Sequence, residues 1–250
     1  MSNRETVIRI STDSVIVESQ NEQGVRSSKH TNLESIQNIL SADQRFETPL
    51  LPGQWGVQKY IRKDNEELFV LSVPPTIRDV EYDFRNNDVD EERRFRIPTP
   101  GTLWLFHVSY NPANESRVLR NTMAYALANP IMSENDRVYK MPFSNVGSYV
   151  CWGSSSDAPV ITNSKAIQSF PTQFFLRPFN NDLGDNRFRA FQDDREGRED
   201  IRLFRVQHLF DWLAHKLSTA EAAGETFEFP QNLMHRHESF RTVVRDFFHV

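Results

Sequence analysis

Cysteine is nearly absent from this chain of 250 residues, and Cys151 stands alone. One thiol cannot close an internal disulfide, so the fold must rest on packing and hydrogen bonding, and nothing asks for an oxidising compartment. Glycine is sparse, with nine residues. None of them falls into a phosphate-cradling pattern of either common type, so nucleotide binding has no support and no cofactor is expected. No apolar run approaches the roughly 18 residues that a membrane-spanning helix needs. The opening residues, MSNRETVIRIS, lack the apolar core of a secretion signal. A cytoplasmic protein with no membrane partner is expected. Lysine is scarce too, with six among 29 basic residues and arginine supplying the rest. Arginine suits planar, bidentate pairing and is enriched at protein interfaces, although gene base composition produces the same bias. A net charge of −5 argues against direct nucleic-acid binding, which needs a basic face.

The residues that are present describe an α+β fold. TVIRI at 6–10 and SVIVES at 14–19 are rich in β-branched residues and flank a Thr12-Asp13 turn, which predicts a hairpin. Residues 20–31 are polar and read as loop. A short helix is expected next, capped by Thr31 or Asn32 and carrying Leu33, Ile36, Ile39 and Leu40 at helical spacing. Strands are expected at 58–61 and 67–73, the second stopped by Pro74-Pro75. The charged run at 84–97, FRNNDVDEERRFRI, reads as a solvated loop, with an ordered docking loop as the alternative. TLWLFHVSY at 102–110 predicts a buried strand, in which His107 reads as a core residue rather than a catalyst. Residues 118–127 and 138–141 form the next expected hairpin.

The segment 170–184, FPTQFFLRPFNNDLG, is too broken by proline for a long helix and too apolar to float free. It is expected to pack over the core. A helix through Ile201, Phe204, Leu209, Leu213 and Leu217 and a last one at 240–248 close the chain. Strands early and helices late argue for α+β rather than alternating α/β. The division expected is a β-rich N-terminal extension at 1–97 and a core at 98–250, possibly as one continuous domain.

Few residues carry chemistry. GSSSD at 153–157 lacks the second glycine and the strand-turn-helix setting of a serine elbow. His235, His237 and His249 have no cysteine or carboxylate at ligand spacing, so no metal site is expected. Cys151 remains, in YKMPFSNVGSYVCWG at 139–153. It follows the Gly147-Ser148 turn pair and lies six residues after Asn145. If the chain folds back there, the asparagine amide can donate to the oxyanion of a tetrahedral intermediate formed on an acyl-accepting thiol. The plainer reading is that Val150, Cys151 and Trp152 form a buried strand and the cysteine is a small hydrophobe.

The PFSNVGSYVCWG segment resembles the active-site region of ubiquitin-conjugating enzymes, in which a His-Pro-Asn motif precedes the thioester cysteine. More closely it resembles a bacterial branch, the ubiquitin-conjugating-like family D typified by the PRTRC-system B proteins. Pro142, Asn145, Val146, Val150, Cys151 and Gly153 match its core pattern, and the resemblance runs from about Pro98 to Leu183. Phe143 and Ser144 stand where the eukaryotic enzymes carry His-Pro, and Asp157 is a candidate acid for an incoming lysine. The resemblance implies a four-stranded antiparallel meander with flanking helices. It also implies that Cys151 takes a ubiquitin-like protein from an activating enzyme and passes it to an amine, with Asn145 steadying the oxyanion. The alternative is a non-catalytic interaction or scaffold subunit of the same fold. The arginine bias and the phenylalanine-rich 170–191 segment, with Arg187 and Arg189, motivate that second reading.

Overall fold

The computed structural model describes residues 5–10, 15–20, 26–31, 46–83, 92–146, 149–153, 159–180, 206–234 and 236–248. The fold is mixed α and β, built on a mostly antiparallel sheet with a few helices. Three N-terminal strands, β1 (Glu5–Ile10), β2 (Val15–Gln20) and β3 (Arg26–Thr31), form one antiparallel sheet in the order β1-β2-β3. The first hairpin is thus as expected, whereas residues 26–31 are a strand rather than loop. RSSKHT shows no apolar alternation; an edge strand pairs through its backbone and tolerates such a sequence. The helix expected over 32–40 lies outside the described residues.

The main sheet has seven strands in the order β12-β11-β10-β9-β6-β5-β4. These are β4 (Phe46–Glu47), β5 (Gly56–Lys63), β6 (Glu66–Val73), β9 (Gly101–Asn111), β10 (Ser116–Leu127), β11 (Arg137–Lys140) and β12 (Arg236–Ser239). Each neighbouring pair is antiparallel. Between β6 and β9, which lie side by side, the chain leaves the sheet as a ribbon of β7 (Thr76–Asp83) and β8 (Glu92–Thr99). The charged run expected as loop therefore ends in a strand. Phe95 and Ile97 are buried while Arg94 and Arg96 face out, a period of two that the surrounding charge hides. Residues 84–91 lie outside the described set. Strands from both sides of residue 97 share the main sheet.

The sheet's alternation sends Trp104, Phe106 and Val108 to one face and Leu103 and Leu105 to the other, and both faces are buried. Helix α1 (Phe170–Phe175), α2 (Val206–Ala222) and the ribbon build the core on the first face. Phe210 of α2 meets Tyr82 and Phe95 of the ribbon edge-on at 6.0 and 5.7 Å. Residues 170–180 thus pack over the core as expected, beginning with a helix of six residues, and 181–184 lie outside the described residues. Helix α3 (Phe240–Phe248) covers the second face with Phe240, Val243, Val244 and Phe248. Among the described residues no helix is long and apolar enough to cross a membrane.

One ion cluster seats α3. Lys59 of β5, whose side chain is 7% exposed, brings Nζ to 2.6 Å from Glu47 Oε1 and 2.8 Å from Glu134 Oε1. Arg241 donates from Nε to the other Glu134 oxygen at 2.9 Å, and its backbone N–H donates to the Glu134 carbonyl at 2.8 Å. Burial pulls the Lys59 ammonium down, but the hydrogen bonds to Glu134 and Glu47 outweigh it and leave its pKa above the ordinary value. The bonds from Lys59 and then Arg241 hold the Glu134 carboxyl below its usual range. A carboxyl whose folded pKa is depressed contributes stability in full above its unfolded pKa and loses it as the pH falls through the folded value. Glu134→Gln is therefore expected to cost about 1–3 kcal/mol at neutral pH. It should also weaken the loss of stability that sets in as the pH falls below about 4.3. Urea midpoints measured across that range read both effects.

Candidate functional site

After β11 the chain turns at Pro142 and enters a loop that carries Asn145 and Cys151. Phe143 drives the turn inward: its ring is buried and meets Phe175, Phe179, Phe210 and Phe229 at 5.7–6.0 Å. Ser144 beside it is fully buried, and its hydroxyl has no hydrogen-bond partner among the described residues. Asn145 adopts a left-handed backbone, φ 64°, a conformation that asparagine tolerates better than most residues. Val146 and Val150 then bridge in antiparallel fashion. The Cys151 N–H donates to the Asn145 carbonyl at 2.7 Å, which closes the loop. The chain thus folds back between Asn145 and Cys151 through its backbone.

The sheet fixes this loop through Thr122 of β10. Val150 N–H donates to the Thr122 carbonyl at 2.7 Å, and the Trp152 indole N–H donates to the Thr122 hydroxyl at 3.2 Å. The Trp152 ring is buried against Phe170 and Phe174. Cys151 is half-buried, with a free thiol. The flanks carry apolar side chains in solvent: Tyr149 is 54% exposed, Val160 76% and Leu176 71%.

The Asn145 side chain is already engaged. Its Nδ2 donates to the Pro178 carbonyl at 3.1 Å. The next residue back, Arg177, donates from Nη1 to the Trp152 carbonyl, and its guanidinium lies over the Trp152 ring at 5.4 Å. Thr122, Arg177 and Pro178 were not visible as site residues in the sequence. The available signal was an Arg-Pro pair inside an aromatic run, which reads equally well as a turn.

Other candidates fall elsewhere. His107 is half-buried on the second face of the sheet, with Nε2 2.8 Å from Glu66 Oε2 and its ring edge-on to Phe248 at 5.2 Å. His237 stacks on Tyr125 at 5.5 Å. Asp157, Arg187, Arg189, His235, His249 and most of the GSSSD segment lie outside the described residues. Among the described residues, no group of three or more His, Cys, Asp or Glu side chains is placed to hold a metal ion. No family model, curated protein or solved structure matches the chain.

The left-handed backbone at Asn145 and its amide bond to Pro178 can be separated by substitution. Asn145→Ala loses the bond and keeps a Cβ at positive φ, whereas Asn145→Gly loses the bond and relaxes the backbone. The glycine variant is expected to be the milder by about 1 kcal/mol in chemical denaturation. Equal losses would assign the whole cost to the amide.

Proposed function

We propose that the protein is a ubiquitin-conjugating-like acyl carrier of the kind found in bacterial PRTRC systems, with Cys151 as the thioester-forming residue. The observation that carries the reading is the half-buried free thiol on a loop closed by its own N–H on the Asn145 carbonyl. The antiparallel neighbours β6, β9, β10 and β11, with the thiol loop directly after the last of them, support the fold that the resemblance implies. In the proposed reaction the Cys151 thiolate attacks the C-terminal carbonyl of a ubiquitin-like protein held as a thioester on an activating enzyme. A new C–S bond forms at Cys151 and the activating enzyme's thiolate leaves. An amine then attacks the carrier thioester, an amide forms, the amine proton passes to solvent or a base, and Cys151 departs as thiolate. Each tetrahedral intermediate bears an oxyanion, for which the Asn145 amide is the proposed donor.

A second reading, a docking subunit of the same fold, is favoured by one specific observation: the Asn145 amide donates one of its N–H groups to the Pro178 carbonyl. The two part on a single assay. The purified chain is incubated with a cognate activating enzyme, its ubiquitin-like protein and ATP. The carrier reading expects an adduct that thiol reagents release, that is absent in Cys151→Ala, and that becomes thiol-resistant in Cys151→Ser. An adduct surviving Cys151→Ala would sink it, as would the absence of any adduct from the wild type. Asn145→Ala should slow transfer from the loaded carrier by roughly 10²-fold, the scale of losing one oxyanion donor.

A further inference from the structure

Three consecutive residues each hold a different part of the Cys151 loop. Arg177 donates to the Trp152 carbonyl and covers the indole face. The Pro178 carbonyl accepts from the Asn145 amide. The Phe179 ring packs on Phe143 at 5.9 Å. The same segment is anchored behind: Phe179 N–H donates to the Glu81 carbonyl at 2.7 Å, and Asp83 N–H donates to the Phe179 carbonyl at 2.8 Å. Both partners belong to β7. Proline at 178 fixes its own φ, which stiffens the span between the Arg177 contact and the anchor.

We infer that residues 177–179 are a clamp that sets the conformation of the Cys151 loop, with Arg177 as the positioning residue for the thiol. The Cys151 bond to the Asn145 carbonyl and the Val150 bond to the Thr122 carbonyl of β10 hold its stem. The Trp152–Gly153 peptide and the Asn145 amide are held by Arg177 and Pro178. Opening the clamp therefore frees both together, while its far end stays bonded to β7. The word positioning rests on the acyl-carrier reading; the clamp itself does not.

The single cysteine makes the test direct. Second-order alkylation of the full chain by iodoacetamide is followed by intact mass for the wild type, Arg177→Met and Arg177→Lys. Arg177→Met is expected to raise the rate about tenfold, equivalent to about 1.4 kcal/mol of easier loop opening. Arg177→Lys should stay within about threefold of the wild type, because an ammonium still donates to the Trp152 carbonyl and sits over the ring. Equal rates in all three folded proteins would overturn the clamp, and so would a lysine variant as reactive as the methionine one. Should Arg177→Met fail to fold, Asn145→Ala decides: it removes the clamp's other contact, the bond to the Pro178 carbonyl, and must raise the alkylation rate as well. An unchanged rate overturns the inference. Thioester formation is measured on the same samples. Clamp behaviour as expected without a thioester removes the carrier reading alone, and a thioester with unchanged alkylation removes the clamp alone.

Discussion

The burial of the Phe143 ring is the constraint on which the candidate site depends. It meets rings from α1, from the clamp, from α2 and from the 225–230 segment, so one side chain joins the thiol loop to every helical layer on that face. Burying such a ring contributes on the order of 1.5–3 kcal/mol, and each well-placed aromatic pair adds about 0.5–1.5 kcal/mol. That total exceeds the worth of any one hydrogen bond in the loop. The backbone two residues later, at Asn145, is driven into its left-handed turn with the ring as its fixed point.

The sheet supplies the other half of the support, and it does so with charges as well as apolar groups. Glu67 is fully buried; it accepts from the Tyr60 hydroxyl at 2.9 Å and from Arg117 Nε at 2.9 Å. The Arg117 guanidinium also covers Tyr110 at 4.7 Å. A buried carboxylate is tolerable only when its oxygens are satisfied in this way. The bond joins β6 to β10 across the intervening β9, and β10 is the strand whose Thr122 receives Val150 and Trp152. Lys59 and Glu134 act similarly on the opposite face. Each face of the sheet thus has one ion cluster that fixes what lies on it.

Much of this architecture was legible in the sequence, and the parts that were not share a cause. The strands at 56–63, 66–73 and 101–111 announce themselves because their side chains are largely buried and their ends carry Pro, Gly or Asn, whereas 116–127, exposed over its first half, fits strand or helix by periodicity and is placed by its hairpin partner. Helix α3 is legible because Phe240, Val243, Val244 and Phe248 recur at helical spacing on one buried stripe. The strand at 26–31 escaped because an edge strand bonds through its backbone and needs no apolar pattern. The strand at 92–99 escaped because its buried Phe95 and Ile97 alternate with exposed Arg94 and Arg96 inside a charged run. At the site, Cys151 and Asn145 could be named from residue type and spacing. Their holders could not: Thr122, Arg177 and Pro178 come from two distant segments, and only tertiary packing brings them to the loop.

The held Asn145 amide favours the docking reading less than it first suggests. Its bond to the Pro178 carbonyl joins two neutral groups, a kind of interaction worth about 1 kcal/mol net. A bond to a developing oxyanion is charge-assisted, and such bonds are roughly twice as strong. Exchange of the carbonyl for the oxyanion is therefore downhill once an acyl group is present, provided that the clamp gives way by a small displacement. With no acyl group, the same bond holds the amide at the surface of the loop. The contact that looks like a block is the arrangement expected of a donor at rest. On the proposed reading, catalysis then turns on how readily residues 177–179 yield rather than on whether the amide is present.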